Sequence, residues 1–273
     1  MGHRLIRIVS DVHFGERSSS VRALGQLRPL LEGADLFVLN GDTLDTRTGG
    51  DAARTDRLRR EVQGFFASCG TPVAFLTGNH DPELDGRHSM EFEDGRVLVT
   101  HGDVLFEDIV PWSGEGELIR HKVREAVAAL PPDGSAGLDG LLGAFKSVEA
   151  SIPQRHQSET NPLRYAIRLA NDTVWPPRHA IRMIRAWREA PVRASALARK
   201  HRPKARCVVV GHTHKPGVWR YPGGFSVVNT GSFSRPFGAF TAEVTPGMVR
   251  VRRVESRRGE FHPGRTVAEI PLS

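Results

Sequence analysis

The sequence predicts an α/β protein in which β-sheets, stacked as a sandwich, are flanked by helices and interrupted by a helical insertion. Three observations carry this. Short, continuous apolar runs each stop at a polar cluster. Segments compatible with surface helices lie between them. Residues 105–204 read as helices separated by proline- and glycine-rich breaks.

In chain order, "RLIRIV" ends in Ser10-Asp11-Val12-His13 and "ADLFVLN" in Gly41-Asp42. "PVAFLT" ends in Gly78-Asn79-His80-Asp81, "RVLVT" in His101-Gly102-Asp103, and "RCVVV" in Gly211-His212-Thr213-His214. Unbroken apolar runs of this length suit strands buried on both faces. Residues 54–67 mix arginine, glutamate and apolar residues as a surface helix does. "FSVVNTGSF" reads as a strand, and "FTAEVTPGMVRVRRVE" as a hairpin closed by its Thr-Pro-Gly turn. Within the insertion, residues 116–130, 137–152, 161–175 and 178–200 are expected to be helical. In the last of these Ile181, Ile184 and Trp187 recur every three residues, and Arg178, Arg182, Arg185 and Arg188 lie close to one face. The expected organisation is a core of residues 1–104 and 205–273 with an inserted cap at 105–204.

The totals bound the class. With 273 residues, 39% apolar and 25% charged, the chain is long enough for one large domain and ordinary for a globular protein. No apolar run approaches the roughly 20 residues needed to span a bilayer. The first residues lead straight into Asp11 and His13, without a signal-type apolar stretch or a myristoylation pattern, so a cytoplasmic location is expected. Cys69 and Cys207 are expected to be unpaired, and Cys207, inside a strand, to be a buried thiol rather than a ligand. Residues 120–204 hold 16 Lys/Arg against 7 Asp/Glu, while the rest hold 22 against 24. That basic excess suits an acidic partner: phosphate, anionic lipid or nucleic acid.

Each strand-like run ends in groups that bind metals. In open α/β sheets, ligands collect outside the carboxyl ends of strands. Asp11, His13, Asp42, Asn79, His101, His212 and His214 are therefore expected on one rim. Oxygen and nitrogen donors without thiolate suit Mn, Fe, Zn, Co or Mg. Seven donors exceed one tetrahedral ion and suit two ions about 4 Å apart that clamp a phosphoryl group. Residues two apart on an extended backbone point the same way, which would bring His212 and His214, and likewise Asp11 and His13, to the same place.

D-x-H (Asp11, His13), G-D-x-x-D (Gly41, Asp42, Asp45), G-N-H-D (Gly78 to Asp81), H-G-D (His101 to Asp103) and G-H-T-H (Gly211 to His214) occur in this order. The set resembles the calcineurin-like metallophosphoesterase superfamily. The resemblance implies a four-layer α/β/β/α fold and a hydrolase with two divalent metal ions, manganese first, with iron, zinc, cobalt or magnesium as alternatives. It implies Asp11, His13 and His214 as ligands of one ion, Asn79, His101 and His212 as ligands of the other, and Asp42 as the bridge. A hydroxide held between the ions would attack phosphorus. His80 would be the catalytic histidine, oriented by Asp45, and "NTGSF" (Asn229 to Phe233) a supporting turn. The expected reaction is hydrolysis of a phosphomonoester, phosphodiester or pyrophosphate. A ligand-depleted scaffold is the rival from another class, and all seven ligand positions being filled argues for the enzyme.

For the substrate, "GDTLDTR" and "GNHD" differ from the G-D-x-V-D-R-G and G-N-H-E of protein serine/threonine phosphatases. A helical insertion between H-G-D and G-H-T-H resembles the UDP-2,3-diacylglucosamine pyrophosphatase group of lipid A synthesis, which has arginine where this chain has His80. A phosphorylated small molecule or lipid is thus expected, with Lys215 and Arg235 as candidate phosphate contacts. No separate nucleic-acid module is apparent, nor a regular interleaving of aromatic and basic residues. The arginine series has three readings: a solvated face, a contact to an anionic substrate, and a peripheral contact of residues 175–200 with an anionic membrane, Trp175, Ile181, Ile184 and Trp187 supplying its apolar side.

Overall fold

The computed structural model of the chain describes residues 5–47, 51–111, 116–131, 136–153 and 177–273. The helix expected at 161–175, with Trp175, and the side chain of Arg178 lie outside them. The first sheet contains β1 (Ile6–Val9), β2 (Leu36–Asn40), β3 (Val73–Leu76), β9 (Phe240–Thr245), β10 (Met248–Arg257) and β11 (Glu260–Pro271), in the order β11-β10-β9-β1-β2-β3. The second contains β4 (Ser89–Phe92), β5 (Val97–Thr100), β6 (Cys207–Val210), β7 (Gly217–Tyr221) and β8 (Phe225–Asn229), in the order β4-β5-β6-β8-β7. β1, β2 and β3 run parallel, as do β5, β6 and β8. Their carboxyl ends therefore gather on one rim.

Alternation along these strands explains why their sequences are apolar throughout. Ile8, Val38 and Leu76 of the first sheet meet Val99, Val209 and Val228 of the second in the layer between the sheets. Val9, Phe37 and Leu39 point the other way, onto α1 (Arg28–Leu31) and Val62 and Phe66 of α2 (Ala52–Ser68). Leu98, Val208, Val210 and Val227 form the outer face of the second sheet, under α3 (Gly116–Ala128), α4 (Gly137–Ala150) and α5 (Pro177–His201). Four layers result, α/β/β/α. The helix expected at 54–67 is α2, begun by the Asp51 carboxylate, which accepts from the Arg54 amide at 3.1 Å. The expected hairpin is β9–β10, which turns through Pro246 and Gly247, the latter at φ +74°. Cys207 is a free, buried thiol, pushed up to about 12 by burial.

Three strands carried no sequence signal: β4, β7 and β11. All are edge strands, where half-exposed positions and mixed polar residues blur the period-two pattern, and where Pro263 of β11 is tolerated.

The described helices between residues 116 and 201 form the layer over the second sheet. α5 lies against it through Ala186, Ala190, Ala194 and Ala198, four small residues one turn apart that allow close approach, while Ile181 and Ile184 are 65% and 45% exposed. Among the described residues no helix is long and apolar enough to cross a membrane.

The helical layer is also tied to the rim by charge. The buried Lys146 amine on α4 donates to Asp103, just after His101, and to Glu149 at 2.8 Å. Burial, reinforced by Asp103, pushes the Glu149 carboxyl up to about 8. Native Glu149 thus keeps a proton that the unfolded chain releases near 4.5. Its stabilising contribution is complete below that value and fades as pH rises toward 8. Glu149→Gln is accordingly expected to gain melting temperature relative to the wild type between pH 5 and 8, as thermal denaturation across that range would measure.

Candidate metal centre

The seven expected ligands converge. Asp11 and His13 follow β1, Asp42 follows β2, Asn79 follows β3, His101 follows β5, and His212 and His214 follow β6. Donor atoms of Asp11, His13, Asp42 and His214 all lie within 4.8 Å of one another. His214 Nε2 is 3.2 Å from Asp11 Oδ1 and 3.1 Å from His13 Nε2. On the other side, Asn79 Oδ1 is 3.3 Å from His101 Nε2 and 2.8 Å from His212 Nδ1. Asp42 Oδ2 sits between the two sets, 3.8 Å from His13 Nε2 and 3.4 Å from His101 Nε2. Six of the seven are buried; the His214 side chain is 28% exposed, so the rim opens on its side.

Carbonyl oxygens accept only, and this fixes one nitrogen of each of two rings as a proton carrier. His101 Nδ1 donates to Asn40 O at 2.9 Å, turning Nε2 to Asp42. His212 Nε2 donates to Ile109 O at 2.8 Å, turning the Nδ1 lone pair to Asn79. Burial, then the neighbouring His101, lower His212 to about 4 and keep it neutral. At His101 burial also opposes charge, but the Asp42 carboxylate outweighs it and raises the ring to about 10.

For five of the seven, convergence comes from left-handed backbone, not from extended strand ends. Asp11, His13, Asp42, His212 and His214 have φ of +52°, +50°, +53°, +65° and +59°. This corrects the expectation that a two-residue extended spacing aligns His212 with His214. Such conformations cost non-glycine residues free energy and persist only where the surroundings fix them. The surroundings do so here. The buried Asp81 carboxylate accepts from the amides of Asp42, Thr43 and Gly78 at 2.7–2.9 Å. Asn229 Nδ2 donates to Gly211 O at 2.7 Å and to Thr213 Oγ1 at 3.0 Å, so the "NTGSF" turn supports the G-H-T-H loop. The motif glycines are needed for space: a Cβ on Gly41 would strike His101, one on Gly78 would strike Asp42, and one on Gly211 would strike Asp11.

His80 lies at the edge of this centre. Its amide donates to Asp42 Oδ1 at 2.8 Å, and its ring Nδ1 is 3.2 Å from Asp45 Oδ2, the partner expected from the sequence. Two neighbours were not foreseen. Arg47 forks onto Asp45 (Nε to Oδ1 3.1 Å, Nη2 to Oδ2 2.8 Å) and places Nη2 3.1 Å from His80 Nδ1. Glu16 Oε1 is 3.5 Å from His80 Nδ1 and 3.0 Å from His13 Nδ1. Both lie beside motif residues, but nothing in their spacing marks them; the signal is purely three-dimensional. Burial and Arg47 press the His80 ring toward neutrality, yet the carboxylates of Asp42 and Asp45 prevail and hold its pKa well above the ordinary value.

The two candidate phosphate contacts have the following places. The Lys215 amine is over the Trp187 ring, 5.1 Å from its centroid, and Arg235 is exposed on the loop after Ser234. Trp187 itself, on α5, donates from Nε1 to Thr213 O at 2.9 Å, between His212 and His214. The Phe237 ring is 5.9 Å from those of both Trp187 and His214.

The family model for calcineurin-like phosphoesterases matches residues 5–216 of the chain. No curated protein matches it. Among solved structures, a dimetal phosphatase from Danio rerio is similar at 14% identity, with 98% of this chain and 99% of that one covered and a TM-score of 0.50. A predicted phosphoesterase from Streptococcus pneumoniae TIGR4 is 14% identical over 99% of both chains, TM-score 0.40. Vacuolar protein sorting 29 from Cryptosporidium parvum is 10% identical over 99% of this chain and 100% of its own, TM-score 0.43.

The glycine constraint is testable. Gly78→Ala is expected to weaken Mn²⁺ binding at least tenfold by calorimetry, because the added methyl displaces Asp42, while the circular dichroism spectrum keeps its α/β form.

Proposed function

Since the chain belongs to the calcineurin-like phosphoesterase family, we propose that it hydrolyses a phosphomonoester, phosphodiester or pyrophosphate bond with two divalent cations held on the strand-end rim. The observation that carries this reading is the place of Asp42, between an Asp11/His13/His214 set and an Asn79/His101/His212 set. The donors fit such ions. They are oxygen and imidazole nitrogen without thiolate, a set that suits manganese first and iron, zinc, cobalt or magnesium next, and the buried Asp11 and Asp42 carboxylates call for compensating positive charge. Bound there, two cations would supply Lewis acidity and lower the pKa of an attacking water.

The chain's own residues supply the rest. Asp42 holds the two sets in register. His80, with Nδ1 turned to Asp45 and Glu16, is free to direct Nε2 toward the leaving oxygen and give it a proton. Arg47 fixes Asp45, and through it the ring. Trp187 brings the insertion into contact with the ligand loop, which supports a role for α5 in selecting the substrate. A phosphorylated small molecule or lipid suits the basic excess of the insertion, the UDP-2,3-diacylglucosamine class included, with Lys215 and Arg235 as its candidate phosphate contacts.

With Mn²⁺ present, purified protein is expected to hydrolyse bis(p-nitrophenyl) phosphate or p-nitrophenyl phosphate. Asp42→Asn should abolish both Mn²⁺ binding and turnover. His80→Ala should lower kcat by about 10²–10⁴-fold with Mn²⁺ still bound; full activity in that variant would remove its assigned role.

A peripheral contact with anionic lipid, from the cytoplasmic side, is supported by the outward-facing Ile181 and Ile184 beside exposed Arg182 and Arg185. Arg185 also pairs with Glu189 at 2.5 Å, which leaves Arg182 as the cleaner probe. Sedimentation with phosphatidylglycerol vesicles should fall several-fold in Arg182→Glu, and unchanged sedimentation would exclude the contact.

A further inference from the structure

We propose that Glu16 is a positioning residue whose single carboxylate oxygen fixes the ring of a metal ligand, His13, and that of the proton donor, His80. The inference rests on the two-cation reading above. Glu16 Oε1 is 3.0 Å from His13 Nδ1 and 3.5 Å from His80 Nδ1. The two rings stand edge to face, centroids 4.9 Å apart and planes at 85°, so one oxygen can lie at both Nδ1 edges. The side chain is 17% exposed, and Ser18 Oγ donates to its second oxygen at 3.4 Å.

The chemistry follows from the imidazole. His13 turns Nε2 to the rim, 3.1 Å from His214 Nε2 and 3.9 Å from Asp11 Oδ1. A ring that ligates through Nε2 must carry its proton on Nδ1, and a carboxylate accepting that proton fixes the tautomer, holds the ring plane and strengthens Nε2 as a donor. Asn40 O does this for His101 and Ile109 O for His212; Glu16 does it for His13. His80 has Asp45 as well as Glu16, so loss of Glu16 should bear more on the metal than on the proton donor. Glu16 comes three residues after His13 on the turn that leaves the D-x-H block, where His13 O accepts from the Glu16 amide at 3.0 Å. The backbone thus delivers the carboxylate to the ring it serves.

Calorimetric Mn²⁺ titration of the wild type and of Glu16→Gln, Glu16→Met and Glu16→Ala, each checked by circular dichroism and melting temperature, tests the assignment. Met keeps the volume without an acceptor, and Gln keeps a weaker acceptor. The expected order of affinity is Glu, then Gln, then Met, with Met and Ala about 10–100-fold weaker than the wild type. Equal Mn²⁺ affinity in wild type, Gln and Met would overturn the proposal and leave the two-cation reading standing. Absence of Mn²⁺ binding in the wild type would overturn both.

Discussion

Two carboxylates placed in the interior of a sandwich set the terms for everything around them. Asp11 and Asp42 leave neighbouring parallel strands, β1 and β2, which lie about 4.8 Å apart. Neither side chain reaches solvent. Buried charges of like sign are tolerated only where positive or hydrogen-bonding groups surround them. The imidazoles of His13, His101 and His214 and the amides of His80 and His212 are those groups. A site that concentrates carboxylates and imidazole nitrogens in a dry pocket fits the divalent cations proposed for it.

Holding that arrangement requires backbone that strands do not supply. The left-handed residues at the rim turn side chains from three strand ends inward, beside those of Asn79 and His101, and a second tier of polar groups holds them there. Asp81 gathers three amides, Asn229 braces the G-H-T-H loop, and Gly41, Gly78 and Gly211 leave room where a methyl group would collide with His101, Asp42 or Asp11. The strain lies at the chemistry and its support is buried around it, the usual distribution at a functional site.

The helical layer over the second sheet joins this system at two points. Lys146 pairs with Asp103, two residues past His101, and Trp187 hydrogen-bonds between His212 and His214. α4 and α5 are therefore packed on the second sheet by apolar contact and registered against the rim by polar contact. The bond from Trp187 to Thr213 O makes α5 part of the geometry of the G-H-T-H loop.

The five motif blocks, the central strands and the seven donors that converge on one rim were legible in the sequence, because a strand buried on both faces writes its apolar run plainly and ends it in a polar cluster. The edge strands β4, β7 and β11 were not, since half-solvated strands lack that signature. Glu16 and Arg47 were silent for a different reason: one serves His13 and both touch His80, and whether a side chain reaches a ring nitrogen depends on how separate loops cross. The manner of convergence likewise belongs to tertiary structure, which replaced an extended spacing with left-handed turns. Residue types and their order are local and survive in the string; the angles at which loops meet are settled only when both sheets and their helices have packed.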